Sequence, residues 1–347
     1  MGKAWHGGNT NNLFPARRRT VLARALFAIA AGAAVLGSAA ALAQSGNYPE
    51  RPISIVAPYT PGSATDILAR IVAAELTVHL GQSVIVENKP GAGGSIGTTA
   101  VARAKGDGYS LCVVSTATMA INPALYRNLS YDPLKDFTPV IRLAITPNIL
   151  LVPAQSPVTS VQDLVRRMKE KEKVFQYNSG GNGTTQHLTG LMLTRMASAK
   201  ADHVPYRGPA EAVTGLVSAQ VDFGFQALPA AVGVVKGGRL RALGITSNNP
   251  SAALPDVPSL AAAGLAGFDK TDVWFGIVVP KDTPEAVVQI LHAGLAKVLG
   301  NPAIQAKLAG AGFDPAPPAP ASEFAQLVRD QAVFWADLVK VSGASVE

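Results

Sequence analysis

Three short stretches combine hydroxyl side chains, glycine and an adjoining helix start, the ingredients of an anion-binding loop. They are Tyr59-Thr60-Pro61-Gly62-Ser63-Ala64-Thr65-Asp66, Ser115-Thr116-Ala117-Thr118 and Ser179-Gly180-Gly181-Asn182-Gly183-Thr184. None contains Lys or Arg. An anion held there would be met by hydroxyls, free backbone N–H groups and the positive end of a helix dipole. One such loop alone also suits ordinary helix capping. Two of them, in separate β/α units and facing each other, would define a carboxylate site. The candidate contacts are therefore Tyr59, Gly62, Ser63, Ala64, Thr65, Asp66, Ser115, Thr116, Thr118, Ser179, Gly180, Gly183 and Thr184.

Other chemistry is less well supplied. Gly93-Gly94-Ser95-Ile96-Gly97 has the G-x-S-x-G spacing of a serine-hydrolase elbow. That elbow needs a strand running directly into the serine, and Asn88-Lys89-Pro90 with further glycines intervene here. The same glycines lack the acidic partner of a dinucleotide site. His187 and His203 could each act as a base, although a hydrogen-bonded structural histidine is the plainer reading of either. Asp222, at a strand start, is a candidate ligand contact or a turn cap. The five histidines show no metal-ligand spacing and no cysteine partners, so no metal or cofactor is expected.

The elements that must position these loops alternate. Ile53–Ala57, Ser83–Glu87 and Leu111–Ser115 read as strands, with helices expected over Ile67–Leu80 and Thr98–Ala104. A second β/α series begins at Asn148, with strands at Leu150–Val152, Phe175–Tyr177, Asp202–Pro205, Val221–Phe225 and Leu240–Thr246 and helices over Ser160–Glu170 and Thr184–Met196. Val273–Val279 is a strand, followed by helices over Pro284–Leu299, Pro302–Ala309 and Ala321–Val341. This order specifies an α/β fold with mostly parallel sheets and right-handed crossovers. Ligands on such sheets bind beyond the carboxyl ends of the strands, where the three loops fall.

The chain has 347 residues, enough for two domains, and carries a formal net charge of +7. Five positive charges, Lys3, Arg17, Arg18, Arg19 and Arg24, lie in residues 1–43 without any acid, and the remainder is left at +2. So small a charge gives no electrostatic case for nucleic acid binding. Basic residues, an apolar Ala25–Leu42 stretch and the small residues of Ala41-Leu42-Ala43 follow the order of a secretory signal peptide, with cleavage expected after Ala43 and a periplasmic destination. Cys112, the single cysteine, sits in an apolar run and is expected to be a buried thiol.

Taken in order, these residues resemble the substrate-binding proteins of tripartite tricarboxylate transporters, also called Bug receptors. The resemblance rests on Tyr48-Pro49-Glu50-Arg51-Pro52-Ile53, Pro58–Asp66, Val86–Gly94, Asp107-Gly108-Tyr109-Ser110-Leu111 and Gly183-Thr184 with His187-Leu188. It continues through His203-Val204-Pro205-Tyr206-Arg207-Gly208, Gln220-Val221-Asp222, Leu254–Ser259 and Trp274-Phe275-Gly276. It implies a two-lobed periplasmic-binding-protein fold of type II, with lobe 1 at 44–147 and 272–347 and lobe 2 at 148–271. It also implies a monomer without enzymatic activity that closes on a small carboxylate (dicarboxylate, tricarboxylate, amino acid or aromatic acid) and delivers it to integral membrane permease subunits. Tyr206 and His187 join the candidate contacts on this basis. Ser63 stands where the family usually has a second glycine. An exported serine hydrolase using Ser95, or a receptor feeding a signalling partner, are the rival readings.

Overall fold

The computed structural model describes residues 1–4, 6, 48–170, 174–342 and 344–346. The expected signal peptide and its cleavage site after Ala43 lie outside the described residues. The chain divides into two units, Met1–Tyr48 and Pro49–Glu347. The second unit carries both sheets and every helix described below.

Among the described residues, eleven strands form two sheets: β1 (Ile53–Ala57), β2 (Val84–Asn88), β3 (Ser110–Ser115), β4 (Phe137–Thr146), β5 (Asn148–Pro153), β6 (Phe175–Ser179), β7 (Ala201–Pro205), β8 (Phe223–Ala227), β9 (Leu240–Ile245), β10 (Val273–Pro280) and β11 (Asp314–Pro315). The first sheet has the order β11-β4-β10-β3-β1-β2 and the second β7-β6-β8-β5-β9. Each contains a parallel trio, β2-β1-β3 in the first and β7-β6-β8 in the second. Each also has one reversed strand beside its trio, β10 against β3 and β5 against β8. Both reversed strands are the first to enter a sheet after the chain has left the other one. Each starts opposite the carboxyl end of its neighbour, Phe275 against Ser115 and Asn148 against Ala227, and so runs against the trio. The mostly parallel sheets expected are therefore mixed in their pairing, while β4 and β9 run in the direction of the trios.

Helices cover the sheets: α1 (Ala64–Leu80), α2 (Ser95–Ala102), α3 (Asn122–Leu125), α4 (Val161–Lys169), α5 (Thr185–Met196), α6 (Pro209–Val217), α7 (Leu228–Lys236), α8 (Glu285–Gly300), α9 (Pro302–Gly310) and α10 (Ala321–Ser342). Alternation of side chains along β3 and β10 gives the first sheet two apolar faces. On one of them Cys112, Val114, Trp274 and Val278 pack with Phe324, Val328 and Trp335 of α10. In the second sheet Phe223 and Phe225 pack with Leu164 of α4 and Leu193 of α5, and Ile149 and Leu151 with Val213 and Leu216 of α6. Burial of about 25 cal/mol per Å2 of apolar surface across these layers holds the strand ends in fixed positions.

The chain passes between the sheets at Pro147, from β4 to β5, and again at Asp272, from the end of the second sheet's segment into β10.

Candidate functional site

The first loop is set by its own side chains. Gly62 takes a left-handed conformation (φ 80°) that other residues rarely adopt. Ser63 caps α1, its Oγ accepting from the Asp66 amide at 3.3 Å. The Asp66 carboxylate accepts from Gly62 N (2.9 Å) and Asn88 Nδ2 (2.9 Å) and pairs with Arg70 (2.8 Å). Burial alone would raise its pKa. The Arg70 guanidinium, the Gly62 amide and Asn88 outweigh that and hold it below the ordinary carboxylate value. Asp66 is thus spent on shaping the loop. Tyr59 is buried and donates to the Gly93 carbonyl at 3.0 Å.

The second loop closes on itself. Thr118 Oγ1 accepts from the Ser115 amide (3.0 Å) and donates to the Ser115 carbonyl (3.2 Å), and Thr116 Oγ1 accepts from Trp274 N (3.0 Å). The third loop is capped by Thr184, whose Oγ1 accepts from His187 N (3.4 Å) and donates to the Gly181 carbonyl (2.8 Å). Ser179 Oγ lies 2.7 Å from His203 Nε2, and His187 Nδ1 accepts from the Gly183 amide at 3.4 Å. The two imidazoles stack with centroids 4.0 Å apart and planes 17° from parallel. Burial pushes His187 down to about 4; burial and then its neighbour push His203 down to about 3. Both rings are neutral at pH 7.

Loops one, two and three meet at one cavity of about 30 Å3. Of the candidate residues it is lined by Tyr59, Ser63, Ala64, Thr65, Ser115 and Thr184. Thr185, Gln186, Ala117, Pro209, Ala227, Val273 and Phe275 complete the wall, and none of these stands among the candidates read from the sequence. Helices α1, α5 and α6 begin at Ala64, Thr185 and Pro209, and Ala227 is the N-cap of α7. Four helix amino termini therefore converge on a space whose lining contains no Asp, Glu, Lys, Arg or His. The N–H groups of the first turns and the positive ends of four helix dipoles make it a site for negative charge. The Gly208-Pro209 step, a proline at the first helical position, was the signal that could have revealed α6.

The remaining candidates lie elsewhere. Gly62 and Asp66 shape loop one; Thr116 and Thr118 brace loop two; Ser179, Gly183 and His187 brace loop three. Gly180 and Tyr206 line a second, larger cavity of about 510 Å3 with Gly93, Tyr126 and Arg207, and the Tyr206 hydroxyl donates to Gln220 Oε1 at 2.7 Å. Asp222 sits before β8, at the amino end of the strand, and its carboxylate accepts from Gln176 N at 2.8 Å. It is at the opposite strand end from the cavity, because only carboxyl ends of the trio reach it. Ser95 opens α2 after a short 3-10 turn, with no strand leading into it, and its Oγ accepts from Asn122 Nδ2 at 3.1 Å. The hydrolase elbow is not formed.

A two-lobed α/β body with its cavity at the carboxyl ends of both parallel trios defines the class of periplasmic binding proteins. The chain belongs to the tripartite tricarboxylate transporter receptor family, the Bug receptors: the model of the tripartite tricarboxylate transporter family receptor matches residues 68–343. The periplasmic binding protein BugD is 32% identical, with a TM-score of 0.82 over 86% of this chain and 100% of its own. An R. palustris protein solved with adipate is 32% identical, with a TM-score of 0.83 over 86% of this chain and 99% of that one. MatC from Rhodopseudomonas palustris, with bound malate, is 32% identical, with a TM-score of 0.79 over 84% of this chain and all of that one. The family and these neighbours are solute-binding receptors, not enzymes.

Proposed function

We propose that the protein is exported to the periplasm after cleavage behind Ala43, and that it captures a small aliphatic dicarboxylate and delivers it to the permease subunits of a tripartite transporter. The observation that carries this reading is the convergence of four helix amino termini on a cavity lined by hydroxyls and apolar groups. Fixed dipoles and N–H groups stabilise a carboxylate without a counter-charge. An α-ammonium group would find no acidic side chain there, which favours dicarboxylates over amino acids. The bound adipate and malate of two relatives support the same class.

Ser63, Thr65, Ser115 and Thr184 are the proposed hydroxyl contacts, with Tyr59 and Gln186 beside them. The proposed lobes meet at 147/148 and 271/272. A cavity of about 30 Å3 holds no more than about two water molecules. A ligand of four or more carbons therefore enters when the lobes part, and closure follows because the closed form makes the additional contacts.

A thermal-shift screen of the full chain with malate, adipate, glutamate and benzoate tests the reading. Malate or adipate should raise the Tm in proportion to ln(1 + [L]/Kd). Stabilisation by glutamate or benzoate alone, or by none of the four, would overturn it.

A further inference from the structure

Asn148 is fully buried and opens β5, directly after the first passage between the sheets. Its Nδ2 donates to the Thr271 carbonyl at 2.9 Å, at the second passage. A carbonyl can only accept, so the orientation of the Asn148 amide is forced, and Oδ1 faces Gln186 Nε2 at 2.7 Å. Gln186 lies in the first turn of α5 and lines the cavity. The Asn148 backbone is also paired in both directions with Thr246, N to Oγ1 at 2.8 Å and Thr246 N to its carbonyl at 2.9 Å. Thr246 Oγ1 in turn donates to Asp272 Oδ1 at 2.6 Å. From its place beside the first passage, the Asn148 side chain therefore ties the second passage to a residue of the cavity wall.

We propose that Asn148 is the positioning residue through which the cavity sets the angle between the two chain passages. Gln186 cannot turn toward a ligand without changing its bond to Asn148, and Asn148 cannot move without changing its bond to Thr271. The inference rests on the carboxylate reading above only for the identity of what moves Gln186. A ligand that adjusts Gln186 biases the hinge because the open and closed forms differ in these buried bonds.

The test uses the full chain, with malate and adipate as probes, calorimetry for affinity and small-angle X-ray scattering for lobe separation. Asn148→Ala should weaken binding by about tenfold, the effect of one hydrogen bond, and should reduce the compaction seen on adding the acid. The double variant Asn148→Ala/Gln186→Ala should bind no more weakly than the worse single variant, because both remove the same link. Additive losses, or undiminished compaction in Asn148→Ala, would overturn the proposal. If Asn148→Ala does not fold, Asn148→Ser, which retains a donor, takes its place with the same criteria and a smaller loss. Should the unmutated chain bind neither acid, the dicarboxylate reading fails on its own. Asn148 is then judged without ligand: Asn148→Ala must broaden the scattering distance distribution, and an unchanged profile overturns its role.

Discussion

Loop one and loop three present the same surface to the cavity, a hydroxyl cap followed by a helix start, yet they are held by opposite electrostatics. Behind Ser63 stands an ionised carboxylate, Asp66, tied to a guanidinium and two N–H donors. Behind Thr184 stand two neutral imidazoles stacked on each other and bonded to Ser179 and Gly183. The first brace is built on charge that is paired, the second on charge that is avoided. Neither brace puts a formal charge on the cavity wall, so the helix termini alone set its sign. Equivalent functional surfaces can thus rest on supports that respond differently to pH and to mutation.

The largest expected effect breaks loop one. Asp66→Ala leaves the Gly62 amide without its side-chain acceptor and Asn88 Nδ2 with the Tyr59 carbonyl alone, and should cost about 2–3 kcal/mol of stability by denaturant titration, with carboxylate binding lost by calorimetry. Acidification should separate the two braces next. The histidine pKa values are lowered on folding, so the stability they confer is complete above about 6.5 and is lost as pH falls through about 4 to 3. Asp66 is also lowered, so its contribution persists until pH drops below the ordinary carboxylate value. Denaturation between pH 7 and 4 should show a loss on the order of 2 kcal/mol, and His187→Phe with His203→Phe should flatten that slope.

At the second passage the sign reverses. Burial raises Asp272 to about 7, with Asp269 and Asp314 adding to the rise and the Thr246 hydroxyl opposing it. A raised pKa gives stability that is present below the unfolded value and lost as pH rises through 7. Asp272→Asn, which keeps an acceptor for Thr246, should therefore stabilise the protein at pH 8 by on the order of 1–2 kcal/mol and leave it unchanged at pH 4, read by thermal melts. The smallest effect sharpens the comparison from outside both loops. Ser95→Ala removes one of two acceptors of Asn122 Nδ2 and leaves the other, the Gly93 carbonyl, and should change stability by about 1 kcal/mol or less and affinity for malate by less than about twofold.

Loops one and three were legible in the sequence because a strand, a glycine turn and a capped helix are written in consecutive residues. Their meeting was not, since it depends on how two sheets separated by one residue, Pro147, are oriented. Strand β4 escaped notice because Pro139 interrupts its pattern, and a proline inside a sheet argues against a strand. The sheet accommodates it at a register shift, where Val278 of β10 faces Pro139. Helices α6 and α7, which supply two of the four converging termini, are short and rich in Gly, Ala and Val. Their period is weak, so the cavity's far wall could not be read from spacing. Asp222 illustrates the reverse difficulty: a polar residue beside a strand is visible in sequence, but its end of the strand decides whether it can reach a ligand.

Cys112 lies at the centre of β3 with no exposed surface, and burial pushes its thiol up to about 12. A thiol that is both shielded and protonated does not react with maleimides at neutral pH. A cysteine placed on the rim of either lobe would then be the single labelled position in an otherwise unaltered chain. Native Cys112 thereby leaves the molecule ready for conversion into a fluorescent reporter of its own ligand.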